Sequence, residues 1–248
     1  MEIIAVCHVH SDWSYDGHWS LKDLAATFEE RGARVLLMTE HDRGFSASRF
    51  AEYRAACAEA SSSEIQVVPG IEYSDAANRV HVLVWGTDFL GENLPTVEML
   101  NAVRARNGVA VLAHPSRKNV WQDVGPSWTG NLLGIEVWNR KYDGVAQSET
   151  AQNLLAASDC IPFVGLDFHT EKQLFPLTMV LDLPRVTEQE ILNCLRSRRC
   201  TPHAFGIPFE HKWVRASMPG LRIAEQARKK IASAVKRSRA AKPKPNAK

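Results

Sequence analysis

The segment IIAVCHVHS, residues 3–11, holds the pattern from which the fold can be predicted. Its first five residues are apolar and mostly β-branched, as expected for a buried strand. His8 and His10 follow at once, and because side chains alternate along a strand with period two, both imidazoles are expected on one face. The segment therefore predicts a buried strand that ends in two side chains able to bind a metal ion.

Short apolar runs of this kind alternate with longer stretches of helical periodicity along the chain. We predict strands at residues 3–7, 35–39, 66–69, 81–85, 109–113, 134–138, 162–166 and 178–183. We predict helices at residues 21–31, 46–60, 96–107, 148–158 and 188–198, with Ser20 and Thr187 as N-caps. Strands that alternate with helices favour parallel β/α units, either open or closed into a barrel.

Length and composition exclude several classes of protein. The chain has 248 residues, of which 45% are hydrophobic and 23% charged, which is typical of one globular α/β domain. Residues 1–11 do not form a secretory signal, and no apolar run approaches the roughly 20 residues of a membrane span. Five scattered cysteines suit reduced thiols. We therefore expect a cytoplasmic protein that does not enter a membrane.

The net charge of +2 conceals a basic C-terminal segment. Residues 221–248 contain ten Lys or Arg and one acid, which leaves a charge of −7 on residues 1–220. We therefore predict one folded domain at 1–220 and a basic helix with a flexible tail at 221–248. The apolar pattern of that helix is Leu221, Ile223, Ala224, Ala227, Ile231, Ala232 and Val235, and it breaks up at residues 240–248. A terminal helix docked on the domain is favoured over a nucleic-acid-binding segment.

Side chains of the metal-ligand type recur at the edges of the predicted strands. They are His8, His10, Asp16, His41, Glu72, His81, His114, Asp167 and His169. The carboxyl edge of the sheet is where functional residues of such folds gather, so we expect these nine to meet. One histidine near a strand end is usually an ordinary hydrogen-bonded residue, but six histidines, each at a different strand edge or in an HxH or DxH pair, are hard to obtain by chance. Imidazole with carboxylate suits zinc, iron or manganese, so the set predicts a metal-dependent hydrolase.

The motifs HxHS, TEHD, GIE, HVL, AHP and GLDFH, in this order, resemble those of the PHP (polymerase and histidinol phosphatase) superfamily. The resemblance covers about residues 3–205. It implies a distorted (β/α)7 barrel in a single domain, two or three divalent metal ions, and phosphoester hydrolysis. It also implies that ILNCLRSRRCTPH, residues 191–203, contains the last helix and the final short strand of the family.

Motif by motif, the resemblance implies three metal positions, with a metal-bridging hydroxide as the nucleophile. The ligand sets are His8, His10, Glu72 and Asp167 for the first ion, Glu72, His81 and His114 for the second, and Asp16, His41 and His169 for the third. The spacing from His10 to Asp16 is one residue longer than in the commonest pattern of the family, so His18 is an alternative to Asp16. Manganese is the expected metal, with iron and zinc as alternatives.

A phosphate substrate needs cations beyond the metal ions. The candidates at strand ends are Arg43, Arg117, Lys118, Arg140 and Lys141, of which Arg43 and Arg140 are preferred. With these two, the candidate catalytic residues are Asp167, Glu72, His41, Arg43 and Arg140. Glu40 and Glu136 are expected to orient histidines, and Asp42 to do the same or to cap a helix. The segment at 118–130 is predicted to be a loop over the rim.

Three functions are consistent with these residues. The favoured one is hydrolysis of a small phosphate monoester, such as a sugar, amino-alcohol or nucleotide phosphate. The second is a phosphodiesterase or exonuclease acting on nucleic acid, which the basic tail and the tryptophans Trp121, Trp128 and Trp138 would support. The third is a non-catalytic metal-binding module of a larger assembly. No long insertion separates His114 from Asp167, so the site is expected to be open.

Overall fold

The computed structural model describes residues 1–240. The strands in this range are β1 (Glu2–Val9), β2 (Val35–Met38), β3 (Glu40–His41), β4 (Gln66–Val68), β5 (Gly70–Ser74), β6 (His81–Trp85), β7 (Val109–Leu112), β8 (Gly134–Asn139), β9 (Ile161–Gly165), β10 (Leu177–Asp182), β11 (Cys200–Ala204) and β12 (Ile207–Pro208). The helices are α1 (Leu21–Glu29), α2 (Ala47–Ala60), α3 (Thr96–Ala105), α4 (Pro126–Thr129), α5 (Glu149–Ala156), α6 (Glu188–Arg196) and α7 (Lys212–Ala240).

The strands form two six-stranded sheets with mixed directions. The strand orders are β12-β11-β10-β1-β2-β4 and β3-β5-β6-β7-β8-β9. The sheets join where the backbone N–H groups of Leu166 and Phe168, after β9, donate to the carbonyls of Cys7 and His8 in β1. The α/β fold is confirmed. The closed (β/α)7 barrel stays a prediction, because the ladders of residues 1–240 define two sheets.

The expectation of parallel β/α units is wrong for part of the fold. β5, β6 and β7 are antiparallel neighbours, and β10 runs antiparallel to both β1 and β11. The link between β5 and β6 spans only residues 75–80, which is too short for the crossover that parallel strands require. The parallel pairs are β1–β2, β2–β4, β3–β5, β7–β8 and β8–β9.

All eight predicted strands and all five predicted helices are present, with ends that differ by at most two residues. The side chains of Ser20 and Thr187 cap α1 and α6 as predicted. The α6–β11 unit matches the final helix and strand that the family resemblance implies. The loop predicted at 118–130 is wrong in part, because this segment holds most of a 3₁₀ turn (Arg117–Gln122) and all of α4, where Pro126 occupies the first turn.

Helix α7 docks on the body through a face other than the predicted one. Val214 and Met218 are buried, whereas the predicted apolar residues Ile223 and Ile231 are 69% and 65% exposed. The helix begins at Lys212, nine residues before its predicted start, so its first turns supply the docking face. Residues 241–248 and the side chains at 232 and 235, which belonged to the predicted pattern, lie outside the description. In residues 1–240 no helix combines the length and apolar character needed to cross a membrane.

Candidate metal centre

The nine predicted ligands meet where the strands end. His8 lies in β1, His10 directly after it, His41 in β3, Glu72 in β5, His81 at the start of β6, His114 two residues after β7, and Asp167 and His169 after β9. Asp16 comes from the loop that leads to α1. Eight of the nine side chains are buried, and Asp16 is 34% exposed. Strand ends from both sheets therefore bring the ligands together.

The ligand atoms form four overlapping groups, within each of which they lie no more than 4.8 Å apart. The groups are His10, Asp16, His41 and His169; His8, His10 and Glu72; His8, His114 and Asp167; and Glu72, His81 and His114. All nine predicted ligands belong to these groups. His18, the alternative to Asp16, belongs to none of them, whereas Asp16 Oδ2 lies 3.1 Å from His169 Nε2.

The donor atoms fit divalent metal ions. Among the described residues, His8 Nε2, His10 Nε2 and Glu72 Oε2 are buried and have no hydrogen-bond partner. A buried polar atom without a partner is unfavourable by about 1–3 kcal/mol. Bound cations would satisfy all three atoms at once, and imidazole with carboxylate suits manganese, iron or zinc.

Three of the nine ligands have left-handed backbone conformations. The φ angles are 59° at His8, 27° at His114 and 49° at Asp167. The ladder between β1 and β2 also shifts register around His8, between Cys7 and Val9. The rings of His8 and His10 both reach the cluster, with centroids 5.2 Å apart. Both rings reach the cluster because a bulge changes the direction of the His8 side chain, and not because of the regular alternation we expected.

Asp167 and His169 lie outside a regular strand. β9 ends at Gly165, so both ligands lie in the segment that follows it. His10 donates its backbone N–H to the carbonyl of Phe168 at 3.0 Å, which pairs this segment with the end of β1. Hydrogen bonds to β1 therefore fix the two ligands outside the regular strand.

Burial and charge act in opposite directions on the ionisation of the cluster. Burial, with the neighbouring His41, lowers the pKa of His10 well below its ordinary value. Burial also opposes the charge of His8, but Glu136 and other carboxylates outweigh it and raise the pKa of His8. Burial would raise the pKa of Glu72, yet the surrounding histidines hold it well below its usual range. His10 and Glu72 thus favour the neutral imidazole and ionised carboxylate that bind metal.

Glu136 holds two of the ligands in place. Its Oε1 lies 2.8 Å from His8 Nδ1, and its Oε2 accepts the backbone N–H of His114 at 2.8 Å. This contact leaves Nε2 of His8 to face the cluster, which is the orienting role expected for Glu136. Asp42 bonds instead to the hydroxyl of Ser74 at 3.0 Å.

Glu40 acts on the histidines only through serines. Its carboxylate accepts the hydroxyls of Ser11 and Ser14, both at 2.6 Å. The Oγ of Ser14 lies 3.3 Å from His10 Nδ1 and accepts the backbone N–H of His41 at 2.9 Å. Sequence reasoning missed Ser14, because it lies in a loop where a serine gives no signal of its own.

The two preferred arginines lie in different surroundings. Arg43 is exposed and lies over the ring of Tyr15, with 5.7 Å from its Cζ to the ring centroid. Tyr15 in turn stacks on His41 at 4.9 Å, so Arg43 borders the metal centre. Arg140 lies 4.8 Å from the ring of Phe175, and in residues 1–240 it contacts none of the nine ligands.

Lys141, which was named but not preferred, reaches the cluster instead. Its Nζ donates to Asp167 Oδ1 at 3.0 Å and lies 3.3 Å from His169 Nε2. Burial opposes its charge, but Asp167 outweighs that effect and raises the pKa of Lys141. The next residue, Tyr142, places its ring 4.6 Å from that of His114. The centre therefore has a permanent cation at its edge.

A cleft of 280 Å³ opens beside His41. Its polar lining includes Tyr15, Arg43, Glu92 and Asn93. Two of the tryptophans expected at the rim are buried in the body, namely Trp128 and Trp138, whereas Trp121 is 40% exposed. The cleft next to the metal centre is therefore polar and small.

Comparison with known proteins identifies a domain in the first half of the chain. Residues 7–125 match the PHP domain family. The chain therefore carries a PHP domain, with the fold of the PHP-like metal-dependent phosphoesterases, and the predicted resemblance is confirmed. No curated protein sequence matches the chain.

Three solved structures share the fold. A two-domain protein from Bacteroides vulgatus, which contains a predicted PHP-like metal-dependent phosphoesterase, is 17% identical with a TM-score of 0.62, over 82% of this chain and 65% of its own. PsfC from Pseudomonas syringae is 19% identical with a TM-score of 0.58, over 93% and 99%. The lesion-specific endonuclease EndoQ from Pyrococcus furiosus is 15% identical with a TM-score of 0.56, over 79% and 56%. The chain thus spans less than two thirds of the first and third proteins, and the likeness concerns the fold alone.

Proposed function

We propose that this protein is a metal-dependent phosphoesterase that hydrolyses the phosphate monoester of a small molecule, such as a sugar, amino-alcohol or nucleotide phosphate. The observation that carries the proposal is the meeting of nine ligand-type side chains in four overlapping groups, with Lys141 at their edge. We propose two or three divalent ions, with manganese first. The PHP domain at residues 7–125 supports the same class of reaction.

The ions would be distributed among the four groups of ligands. Glu72 belongs to two groups and would be shared between ions, with Asp167 in a third group and His41 in the fourth. When bound, divalent ions would supply Lewis-acid activation of the phosphate and of the attacking water. The protein would contribute the fixed positions of these side chains, which Glu136 and Ser14 maintain by hydrogen bonds.

Two cations of the chain would bind the phosphate. Lys141 Nζ, 3.0 Å from Asp167 Oδ1, would contact a phosphate oxygen next to the ions. Arg43, over Tyr15 at the mouth of the cleft, would bind a second oxygen or a polar group of the substrate. Arg140, which lies against Phe175, would contribute little to this arrangement.

The size of the cleft favours a small substrate. Its 280 Å³ lies close to the lower end of the roughly 300–1,000 Å³ of small-molecule sites. Glu92 and Asn93 line it with polar groups, which suit hydroxyl or amino substituents of the leaving group. A polymer would have to lie across the mouth of this cleft.

A phosphodiesterase acting on nucleic acid is the second candidate, and α7 favours it. Six Lys or Arg and one acid lie between Lys212 and Lys230, and Lys229 contacts the backbone of Tyr142 beside the metal centre. A basic surface there could bind phosphates of a strand. The paired exchange of Lys212→Glu and Lys230→Glu should abolish cleavage of oligonucleotides if this candidate is right, and leave a small monoester unaffected.

The test is phosphate release by metal-stripped protein reloaded with Mn²⁺. The panel would contain small monoesters, dinucleotides and short oligonucleotides, with Asp167→Asn as the inactive variant and the exposed Asp159→Asn as its matched control. Turnover that disappears only in Asp167→Asn supports the proposal, and the preferred substrate decides between monoester and diester. No turnover on the whole panel, with metal bound, would contradict it and favour a metal-binding module.

A further inference from the structure

The segment 139–145, which we call the Lys141 loop, connects the metal centre with helix α7. Lys141 and Tyr142 face the centre, where they contact Asp167 and His114. The far side of the loop packs against α7. Lys141 can meet a phosphate only if this loop keeps its place.

Residues of β8 and of the loop itself anchor the inner end. Asn139 Oδ1 accepts the backbone N–H groups of Lys141 and Tyr142 at 3.1 and 3.0 Å. Asp143 Oδ2 accepts the N–H of Asn139 at 2.8 Å. Trp138 Nε1 donates to the carbonyl of Gly144 at 3.0 Å. These bonds fix the turn but hold only one side of it.

Helix α7 supplies the outer anchor through Glu225. This residue is 4% exposed, and its Oε2 accepts the backbone N–H of Val145 at 3.4 Å. Gly144 has a φ of +80°, and a Cβ there would overlap the carboxylate of Glu225. Lys229, one turn later, donates its Nζ to the carbonyl of Tyr142 at 3.0 Å. The loop is thus held between β8 and α7.

The sequence of α7 makes Glu225 unusual. It is the one acid in Lys212–Ala240, and it is buried although the helix is otherwise basic. Arg228 Nε donates to its Oε2 at 2.8 Å, and Lys229 Nζ lies 3.7 Å from its Oε1. A carboxylate withdrawn from water needs such partners. Its position is explained by the loop that it contacts rather than by the solubility of the helix.

We propose that Glu225 is a positioning residue, which fixes the Lys141 loop from outside so that Lys141 is aimed at the substrate phosphate. The part that concerns phosphate rests on the proposed function. The part that concerns the loop rests on the contacts of Glu225 with Gly144 and Val145. Helix α7 would therefore belong to the working site, although none of its residues is among the nine ligands.

The experiment compares Glu225→Ala and Glu225→Gln with Glu149→Gln in the full-length, manganese-loaded chain. Glu149 also pairs with α7, through Arg222 at 3.8 Å, but its side chain is 73% exposed and contacts no residue of the loop. Gly144→Ala tests the same contact from the loop side. Amide hydrogen exchange of residues 139–145 is followed by mass spectrometry, and KM and kcat are measured with the best monoester.

We expect exchange in residues 139–145 to rise about tenfold in Glu225→Ala and less in Glu225→Gln, which keeps an acceptor oxygen. Glu149→Gln should stay within twofold of wild type. KM should rise about tenfold in Glu225→Ala with little change in kcat, and the same substitution should add nothing in a Lys141→Met background. Gly144→Ala should reproduce the loop opening.

Unchanged exchange in the loop would overturn the proposal. So would a rise spread evenly over the chain, which would mean a general loss of stability. A rise in KM that multiplies with that of Lys141→Met would also overturn it, because Glu225 would then act independently of Lys141. If wild type hydrolyses no monoester, the proposed function fails, while the exchange experiment still decides whether Glu225 holds the loop.

Discussion

Glu72 and the cations at the rim of the candidate metal centre are held in different ways. Glu72 is 1% exposed and lies within a strand, where the ladder fixes the direction of its side chain. The cations lie on loops, and the neighbours Arg140 and Lys141 contact Phe175 and Asp167, respectively. A strand position therefore determines where a ligand is aimed, whereas in a loop the tertiary contacts determine it.

The nine predicted ligands, which we call the inner group, also differ in their hydrogen bonding from the rim cations Arg43, Arg140 and Lys141. Among residues 1–240, buried atoms of His8, His10 and Glu72 have no hydrogen-bond partner, so the inner group is incomplete without cations. Lys141 already has a carboxylate partner in Asp167. Changes to the inner group should therefore act on metal binding and chemistry, and changes to the rim on substrate affinity.

Asp167→Asn should have the largest effect. It keeps the shape of a ligand but removes its charge, and the loss of metal-assisted stabilisation of several kcal/mol corresponds to a kcat/KM lower by on the order of a thousandfold. Steady-state kinetics with Mn²⁺ would measure it against Asp159→Asn. A loss of less than tenfold would mean that Asp167 is not part of the inner group.

Glu136→Gln should weaken the metal centre without removing a ligand. The carboxylate that holds His8 Nδ1 at 2.8 Å would be replaced by an amide, and losses of such partners lower metal affinity by roughly 10–100-fold. Calorimetric titration with Mn²⁺ checks this, with the exposed Glu98→Gln as control. An unchanged affinity for Mn²⁺ with a raised KM would mean that Glu136 acts on substrate binding, as the rim cations do.

Lys141→Met and Arg140→Met sharpen the comparison within the rim. Loss of a cation that contacts the phosphate should raise KM about tenfold for Lys141→Met, whereas Arg140→Met should stay within twofold. Both variants remove one positive charge from adjacent positions, so each controls for the other. Equal changes in KM would show that the net positive charge of the rim, and not the position of one side chain, determines substrate binding.

Asp143→Asn should have the smallest effect and depend on pH. Burial raises the pKa of Asp143 from 3.8 to about 6 in the folded protein. Between these values the folded chain keeps a proton that the unfolded chain has lost, so stability falls as the pH rises through this range. The full shift is equivalent to about 3 kcal/mol, and partial exposure to solvent reduces this.

The amide that replaces the carboxyl of Asp143 carries no charge, so we expect the variant to gain on the order of 1 kcal/mol above pH 6 and nothing below about pH 4. Denaturant unfolding at both pH values measures the difference. Ser116→Ala is the control, because it removes the hydroxyl that donates to Asp143 but leaves the carboxyl. A gain that is equal at both pH values would exclude titration of Asp143 as its cause.

The inner group could be predicted because strand ends converge. His41, Glu72, His81 and His114 lie in or within two residues of strands, and the sequence pattern located eight strands, among them β6, which begins with His81, and β7, which precedes His114. Their residue types then indicated the chemistry. The two-residue strand β3 and the strand β5 were missed, because runs this short or with a polar centre at Glu72 give no clear period.

The rim and α7 could not be predicted in the same way. Whether Arg140 or Lys141 reaches the metal centre depends on Asn139, whose side chain fixes the turn after β8. The docking face of α7 depends on Val214 and Met218, which precede the predicted helix. It also depends on Glu225, which is buried although a charged residue is normally expected at the surface. Such contacts join residues that are far apart in the chain, so no local pattern reports them.

The left-handed backbone at His8, His114 and Asp167 lowers the stability of the folded chain. Such conformations in residues other than glycine are unfavourable by about 1–3 kcal/mol each, a considerable part of the 5–15 kcal/mol that stabilises a typical domain. A variant that no longer needed to bind metal would gain stability by exchanging these residues for glycine. These three positions place the arrangement of the predicted ligands above the stability of the backbone, and thermostable variants should be sought elsewhere in the molecule.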